Sequence, residues 1–197
     1  VTLARWQEAV GRWDEAAGSL RAAAERYERL AGDYPGYFDY AFHLASTLHN
    51  LGSRRANSSA LDEAQRALSR ADRLFQRLIA EHPDRPQLAR QPSLPLASLA
   101  GIATDLGEHP VAASYWEDAL LAAGSERRSA WQIELATSLA RCGGQTRAAE
   151  LLAQLSGPPA AESYAKLARA YALCAAAAER DGTLAAAARQ ELAQQFA

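Results

Sequence analysis

Imidazoles, thiols and paired carboxylates are the groups that metal binding, nucleophilic attack and acid–base work draw on, and this 197-residue chain holds four histidines and two cysteines. His43 and His49 stand six residues apart in one helical stretch, off the i, i+4 spacing at which two imidazoles share a metal ion. His82 and His109 each precede a proline in a turn segment. There is no HExxH, no paired CxxC and no histidine beside a cysteine. Cys142 and Cys174 occupy equivalent places, each seven residues after a leucine, Leu135 and Leu167. Stacked helices lie ~8–10 Å apart between axes, beyond the ~4.4–6.8 Å Cα separation of a disulfide, so both read as small buried thiols. Gly143-Gly144 lacks the strand and the GKS or GKT of a phosphate loop, and the sole lysine, Lys166, stands elsewhere. Asp14-Glu15, Asp62-Glu63 and Glu117-Asp118 are adjacent pairs that suit helix N-termini or solvated faces. Arg54-Arg55 and Arg127-Arg128 are the only adjacent arginines, and acidic residues interrupt any basic stripe. These groups assemble no catalytic, cofactor-binding or metal-binding constellation, and the expectation is a chain that is not an enzyme and needs no cofactor.

The elements that carry these residues are helices. The chain has 47 Ala and 26 Leu against 3 Val, 3 Ile and 6 Thr. Alanine and leucine are the best helix formers, and the β-branched residues that strands favour are scarce. A net charge of −2 argues against nucleic-acid binding by phosphate neutralisation and against a polybasic membrane surface. With 49% hydrophobic residues the chain is too apolar for disorder. The apolar run from Ala170 to Ala178 is too short to cross a bilayer. VTLARWQEAVG has no apolar h-region of a signal peptide, and two cysteines make no disulfide framework, so a cytoplasmic location is expected. No methionine is present, and the sequence reads as a segment of a longer protein.

A repeat runs through the chain. Leu-Ala pairs recur at Leu3, Leu44, Leu99, Leu135 and Leu167, and eight residues later come Gly11, Gly52, Gly107, Gly143 and, in the last copy, Ala175. Five residues after three of these glycines stand Ala16, Ala112 and Ala148. Leu20, Trp116 and Leu152 follow four later, then Ala23, Ala119 and Leu155. The offsets predict pairs of antiparallel helices: leucine anchors the first helix, alanine lets its partner approach, and glycine in a left-handed conformation ends it. One pair alone has no place to bury its apolar face, so pairs must stack.

This pattern resembles the tetratricopeptide repeat (TPR), best in LASLAGIATDLGEHPVAASYWEDAL (Leu96 to Leu120), where Leu96, Leu99, Ala100, Ala103, Gly107, Ala112, Trp116 and Ala119 look like signature positions. YAKLARAY, Tyr164 to Tyr171, resembles the first-helix signature. The anchors lie 41, 55, 36 and 32 residues apart, against a family norm of ~34. The resemblance implies an all-α fold, an α-α superhelix or right-handed solenoid, spanning residues 1–197 as a single array of about five helix pairs truncated at both ends. The long second helices ending at Pro35 and Pro83 look like arrays that follow the catalytic domain of bacterial serine/threonine kinases, and like kinesin-light-chain repeats.

Helices are expected at 1–9, 12–33, 37–51, 61–81, 94–106, 109–123, 128–142, 145–155, 160–179 and 183–197, with a proline-rich irregular linker over 83–95 that has room for one helical turn. Repeat arrays present the concave face of their first helices to a peptide or helix. On this sequence that face gives Phe42, Ser46, His49 and Asn50, then Thr104 and Asp105, then Ile133, Thr137 and Arg141, then Arg169. The family's carboxylate clamp is not reproduced. The expected function is a protein-binding scaffold, the regulatory or recruiting tail of a bacterial serine/threonine kinase. It binds no nucleic acid and inserts in no membrane. A self-associating solenoid is the alternative, and an enzyme with an unrecognised site the remote one.

Overall fold

A chain this rich in alanine and leucine and this poor in β-branched residues has little else to form, and the computed structural model is helical. It describes residues 2–55, 60–155 and 163–180. Nine α-helices are described: α1 (Thr2–Ala9), α2 (Trp13–Asp33), α3 (Phe38–Arg55), α4 (Leu61–Glu81), α5 (Ser93–Asp105), α6 (His109–Leu121), α7 (Ser125–Arg141), α8 (Gln145–Ala153) and α9 (Tyr164–Arg180). No strand occurs among the described residues. The helix expected at 183–197 lies outside them. The chain divides into two compact units, Val1–Ile102 and Ala103–Ala197, the division falling within α5.

In the first unit α1 packs on α2, α2 on α3 and α3 on α4, as three- to five-residue connections require of antiparallel neighbours. Small residues at the contacts let the helices close on one another. Ala4, Ala16, Ala17 and Leu20 meet Leu51 and Ala67, while Ala24 and Ala71 meet Leu44 and Leu48. A third cluster joins Ala41, Ala45, Phe75, Leu78 and Leu88. Leu88 comes from the stretch expected to be irregular. That linker is in fact packed: Pro86–Arg90 forms a 3-10 turn that seats Leu88 on α3 and α4, and α5 begins by Ser93 with Pro95 buried in its first turn. Proline is tolerated there because the first helical N–H groups have no partner to lose. Two ion pairs tie α2 to α4: Arg21 donates through Nε and Nη2 to both oxygens of Glu63, at 2.7 and 2.9 Å, and Arg70 pairs with Glu28.

In the second unit α7 is central, in contact with α6, α8 and α9. Its leucines and alanines, Leu135, Ala136, Leu139 and Ala140, are buried, as are Trp116 of α6, Leu152 of α8 and Cys174 of α9. Lys166 of α9 reaches Glu134 of α7 at 2.6 Å, and Arg147 of α8 reaches Glu117 of α6 at 2.6 Å.

Three of the repeat glycines end helices as their spacing implies. Gly11, Gly107 and Gly143 have φ of 78°, 77° and 87°. In each case the following N–H reaches back five residues: Arg12 to Gln7, Glu108 to Ala103, Gly144 to Leu139, all at 2.8 Å. This is the Schellman arrangement, which satisfies a carbonyl left open at the helix end. Gly52 departs from the expectation. It lies inside α3, which runs on to Arg55, and the space for its Cβ is taken by Leu68 of α4. A matched pair of substitutions separates the glycine roles. Gly107→Ala is expected to cost ~1–2 kcal/mol, because a side chain is strained at that φ. Gly18→Ala, mid-α2 with open space at the Cβ, is expected to add ~0.5–1 kcal/mol. Urea midpoints of the two variants check both signs.

Candidate functional site

The residues expected to face a partner are distributed over both units: Phe42, Ser46, His49 and Asn50 on α3 in the first, and Thr104, Asp105, Ile133, Thr137, Arg141 and Arg169 in the second. On α3 the 3.6-residue period turns Leu44, Ala45, Leu48 and Leu51 inward and leaves Ser46, His49 and Asn50 half-buried along the adjoining stripe. His49 Nε2 and Ser53 Oγ lie 3.1 Å apart, one turn along the helix. Ser53 Oγ is in turn 3.1 Å from Ser98 Oγ of α5. The chain His49–Ser53–Ser98 joins two first helices and holds the imidazole in one orientation. Sequence reasoning selected His49 and missed both serines; their signal was the i, i+4 step from His49 and the place of Ser98 beside the anchor Leu99.

Phe42 sits differently from the expectation. Its ring packs against Phe38 at 5.6 Å and Phe75 at 6.0 Å, with one edge toward His43, so it belongs mainly to the core cluster of α3 and α4. In the second unit two further expectations are corrected. Ile133 is 0% exposed, and Thr137 is buried with its hydroxyl donating to the Ile133 carbonyl at 2.8 Å. Both point into the packing around α7, which has α6, α8 and α9 as neighbours. Asp105 is exposed at the end of α5, Thr104 half-buried beside it, Arg141 half-buried at the end of α7, and Arg169 exposed on α9. Arg141 lies close enough to His109 to matter. Burial, and then the arginine charge, hold the His109 imidazole below its ordinary pKa, favouring its neutral form.

Other chemically capable groups make ring contacts or ion pairs. His43 stacks on Tyr27 at 5.3 Å, and His82 meets the Phe38 ring edge-on at 5.0 Å. Glu15 pairs with Arg12 at the start of α2, and Glu117 with Arg147. No group of three metal-ligating side chains occurs among the described residues, and none of their helices is long and apolar enough to cross a membrane.

The two cysteines are free but unlike. Cys174 is buried in α9, as expected, and desolvation pushes its thiol up to about 11. Cys142 is exposed, against expectation, because α7 ends at Arg141 and the cysteine caps the helix instead of continuing its buried stripe. The thiolate is the reactive form, so Ellman's reagent at pH 8 is expected to modify Cys142 and spare Cys174 in the native chain, and to reach both in denaturant. Equal native reactivity of the two thiols would contradict the packing of α9.

No protein-family model matches the chain, and no curated protein matches it.

Proposed function

We propose that the chain is a non-catalytic, cytoplasmic scaffold of TPR-like helix pairs, stacked as a right-handed solenoid, that holds a peptide or helix of a protein partner on its first helices. The observation that carries this reading is the α3 stripe of Ser46, His49 and Asn50, with His49 oriented by Ser53 and Ser98. A row of half-exposed hydroxyl, imidazole and amide groups on a rigid helix suits the backbone and polar side chains of an extended peptide. Orientation before binding lowers the entropic cost of recognition. The repeated Schellman glycines support the helix-pair architecture.

Selection from a displayed peptide library, followed by titration of the selected peptide, tests the site. His49→Ala with Asn50→Ala is expected to weaken binding at least tenfold while the melting temperature stays near that of the unsubstituted chain. Substitution of the exposed Arg77 of α4 serves as the control. Undiminished binding by the double variant removes the α3 face from the proposal.

A self-associating solenoid is the second reading, favoured by Leu3, Trp6 and Val10, exposed apolar residues at i, i+3 and i+7 along and just beyond α1. Sedimentation of a monomer at high concentration excludes it. Attachment to a bacterial serine/threonine kinase follows from the resemblance of the long second helices. Reading the open reading frame on both sides of Val1 and Ala197 tests it: an upstream kinase domain supports a recruiting tail, and repeats alone remove the link.

A further inference from the structure

The turn between α2 and α3 carries a cluster of rings that no part of the first unit's core uses. Tyr34, Tyr37 and Tyr40 are spaced at i, i+3 and i+6. The backbone there makes successive three-residue steps, Tyr37 N–H to Tyr34 carbonyl at 3.0 Å and Tyr40 N–H to Tyr37 carbonyl at 3.3 Å. Side chains three apart in such steps eclipse one another. The three rings therefore meet, with centroids 6.1, 6.1 and 5.7 Å apart. Tyr34 is 51% exposed and Tyr37 64% exposed, while Tyr40, in the first turn of α3, is half-buried. Asp33 and Asp39 flank the cluster in sequence, both exposed and neither in an ion pair among the described residues. One turn of chain thus offers open aromatic faces together with two carboxylates. That combination suits a cation: ring faces attract it through their quadrupole and carboxylates through charge.

The shape of the cluster decides which cation. The rings already touch, so there is no cage between them for a compact ammonium, and only their outer faces are open. A planar guanidinium stacks on an open ring face while its edge pairs with a carboxylate, which a tetrahedral ammonium cannot do. The same unit contains the pairing in miniature, with Arg85 lying over the Phe38 ring at 4.1 Å from its centroid.

We infer that the Tyr34–Tyr37–Tyr40 cluster, with Asp33 and Asp39, is a docking surface for an arginine-bearing segment of a partner protein. It is a second surface, independent of the α3 stripe, and stands or falls separately from it.

Calorimetric titration of the full chain with a hexa-arginine peptide amide at low salt tests this surface. Saturable binding is expected, with hexa-lysine several-fold weaker and hexa-citrulline undetectable. Tyr34→Ala with Tyr37→Ala is expected to weaken hexa-arginine about tenfold, which follows from losing two exposed cation–ring contacts. Asp33→Asn with Asp39→Asn is expected to weaken it several-fold and to flatten its salt dependence. Tyr37→Leu keeps apolar bulk at the most exposed position and removes the ring face, so it reports binding if the double variant fails to fold. Circular dichroism confirms the fold of each. Equal binding of hexa-lysine or tetramethylammonium would overturn the guanidinium assignment. Unchanged hexa-arginine binding by Tyr37→Leu and by the folded double variants would overturn the site itself, and would place the peptide on the general acidity of the chain.

Discussion

Gly52→Ala is expected to destabilise the first unit by ~1–3 kcal/mol, opposite in sign to the usual effect of replacing a helical glycine. In an exposed helix interior that replacement gains ~1 kcal/mol. Here a Cβ would stand 2.5 Å from Leu68 Cγ and 3.0 Å from both Leu68 Cδ2 and the Ala64 carbonyl oxygen. The nearest of these is a branch point, Leu68 is fully buried, and the carbonyl belongs to the α4 backbone, so neither neighbour swings aside. Overpacking therefore outweighs propensity. Leu68→Ala alone is expected to cost ~2–5 kcal/mol, the ordinary range for a buried leucine. In the double variant the alanine at 52 enters space that Leu68 vacates, so the combined loss should fall short of the sum by ~1 kcal/mol or more. Urea unfolding of the two single variants and the double variant measures this directly. Additive losses would show that α3 and α4 do not approach one another at Gly52.

Trp116→Ala is expected to cost the second unit ~3–5 kcal/mol, whereas Trp116→Phe should cost well under half of that. Trp116 lies buried on α6 with its ring 6.1 Å from that of Trp131 on α7. Truncation to alanine removes the buried indole of that ring pair and leaves a cavity. Phenylalanine keeps most of the volume, and it also removes an indole N–H that is buried without an acceptor among the described residues. Deleting an unsatisfied donor recovers part of the desolvation penalty, which offsets the lost ring. Chemical denaturation of both variants, followed by far-UV circular dichroism, tests the ordering. A phenylalanine variant as unstable as the alanine one would mean that the indole N–H contributes a bond.

Helix positions were largely readable because they follow from local physics. The expected bounds of α2, α4 and α6 differ from the observed ones by at most two residues, since glycine or proline punctuates both ends of α2 and α6 and the C-terminal end of α4. The buried face was readable for the same reason: Ala16, Ala112 and Ala148, picked out by their offset from the repeat glycines, are all fully buried. Failures cluster where a neighbouring helix decides. Gly52 has the spacing of a helix terminator, and only the approach of Leu68 gives it another role. Ile133 and Thr137 sit at positions that a sparsely covered first helix would expose, yet α7 has neighbours on several sides. Cys142 and Cys174 occupy equivalent offsets, but α7 stops one residue short of its cysteine and α9 continues past its own. The Tyr34–Tyr37–Tyr40 cluster drew no attention in the sequence because it straddles the Pro35-Gly36 turn, where no helical period runs from one side to the other.

The crossed ion pairs between α2 and α4 bear on how such a chain can grow. Each contributes little to stability, since surface pairs are worth ~0–1 kcal/mol. Their arrangement is asymmetric, however: α2 offers Arg21 and, seven residues on, Glu28, while α4 answers with Glu63 and then Arg70. A tandem copy of α2 laid in the place of α4 would set arginine against arginine and glutamate against glutamate. Slippage by seven residues would bring Arg21 opposite Arg70. Gene duplication of this helix pair would therefore yield neighbours that repel until one copy had exchanged its charges. The opposite charge order of α2 and α4 is thus a small bias, of the same size as the pairs themselves, that marks which of the two helices belongs in which place.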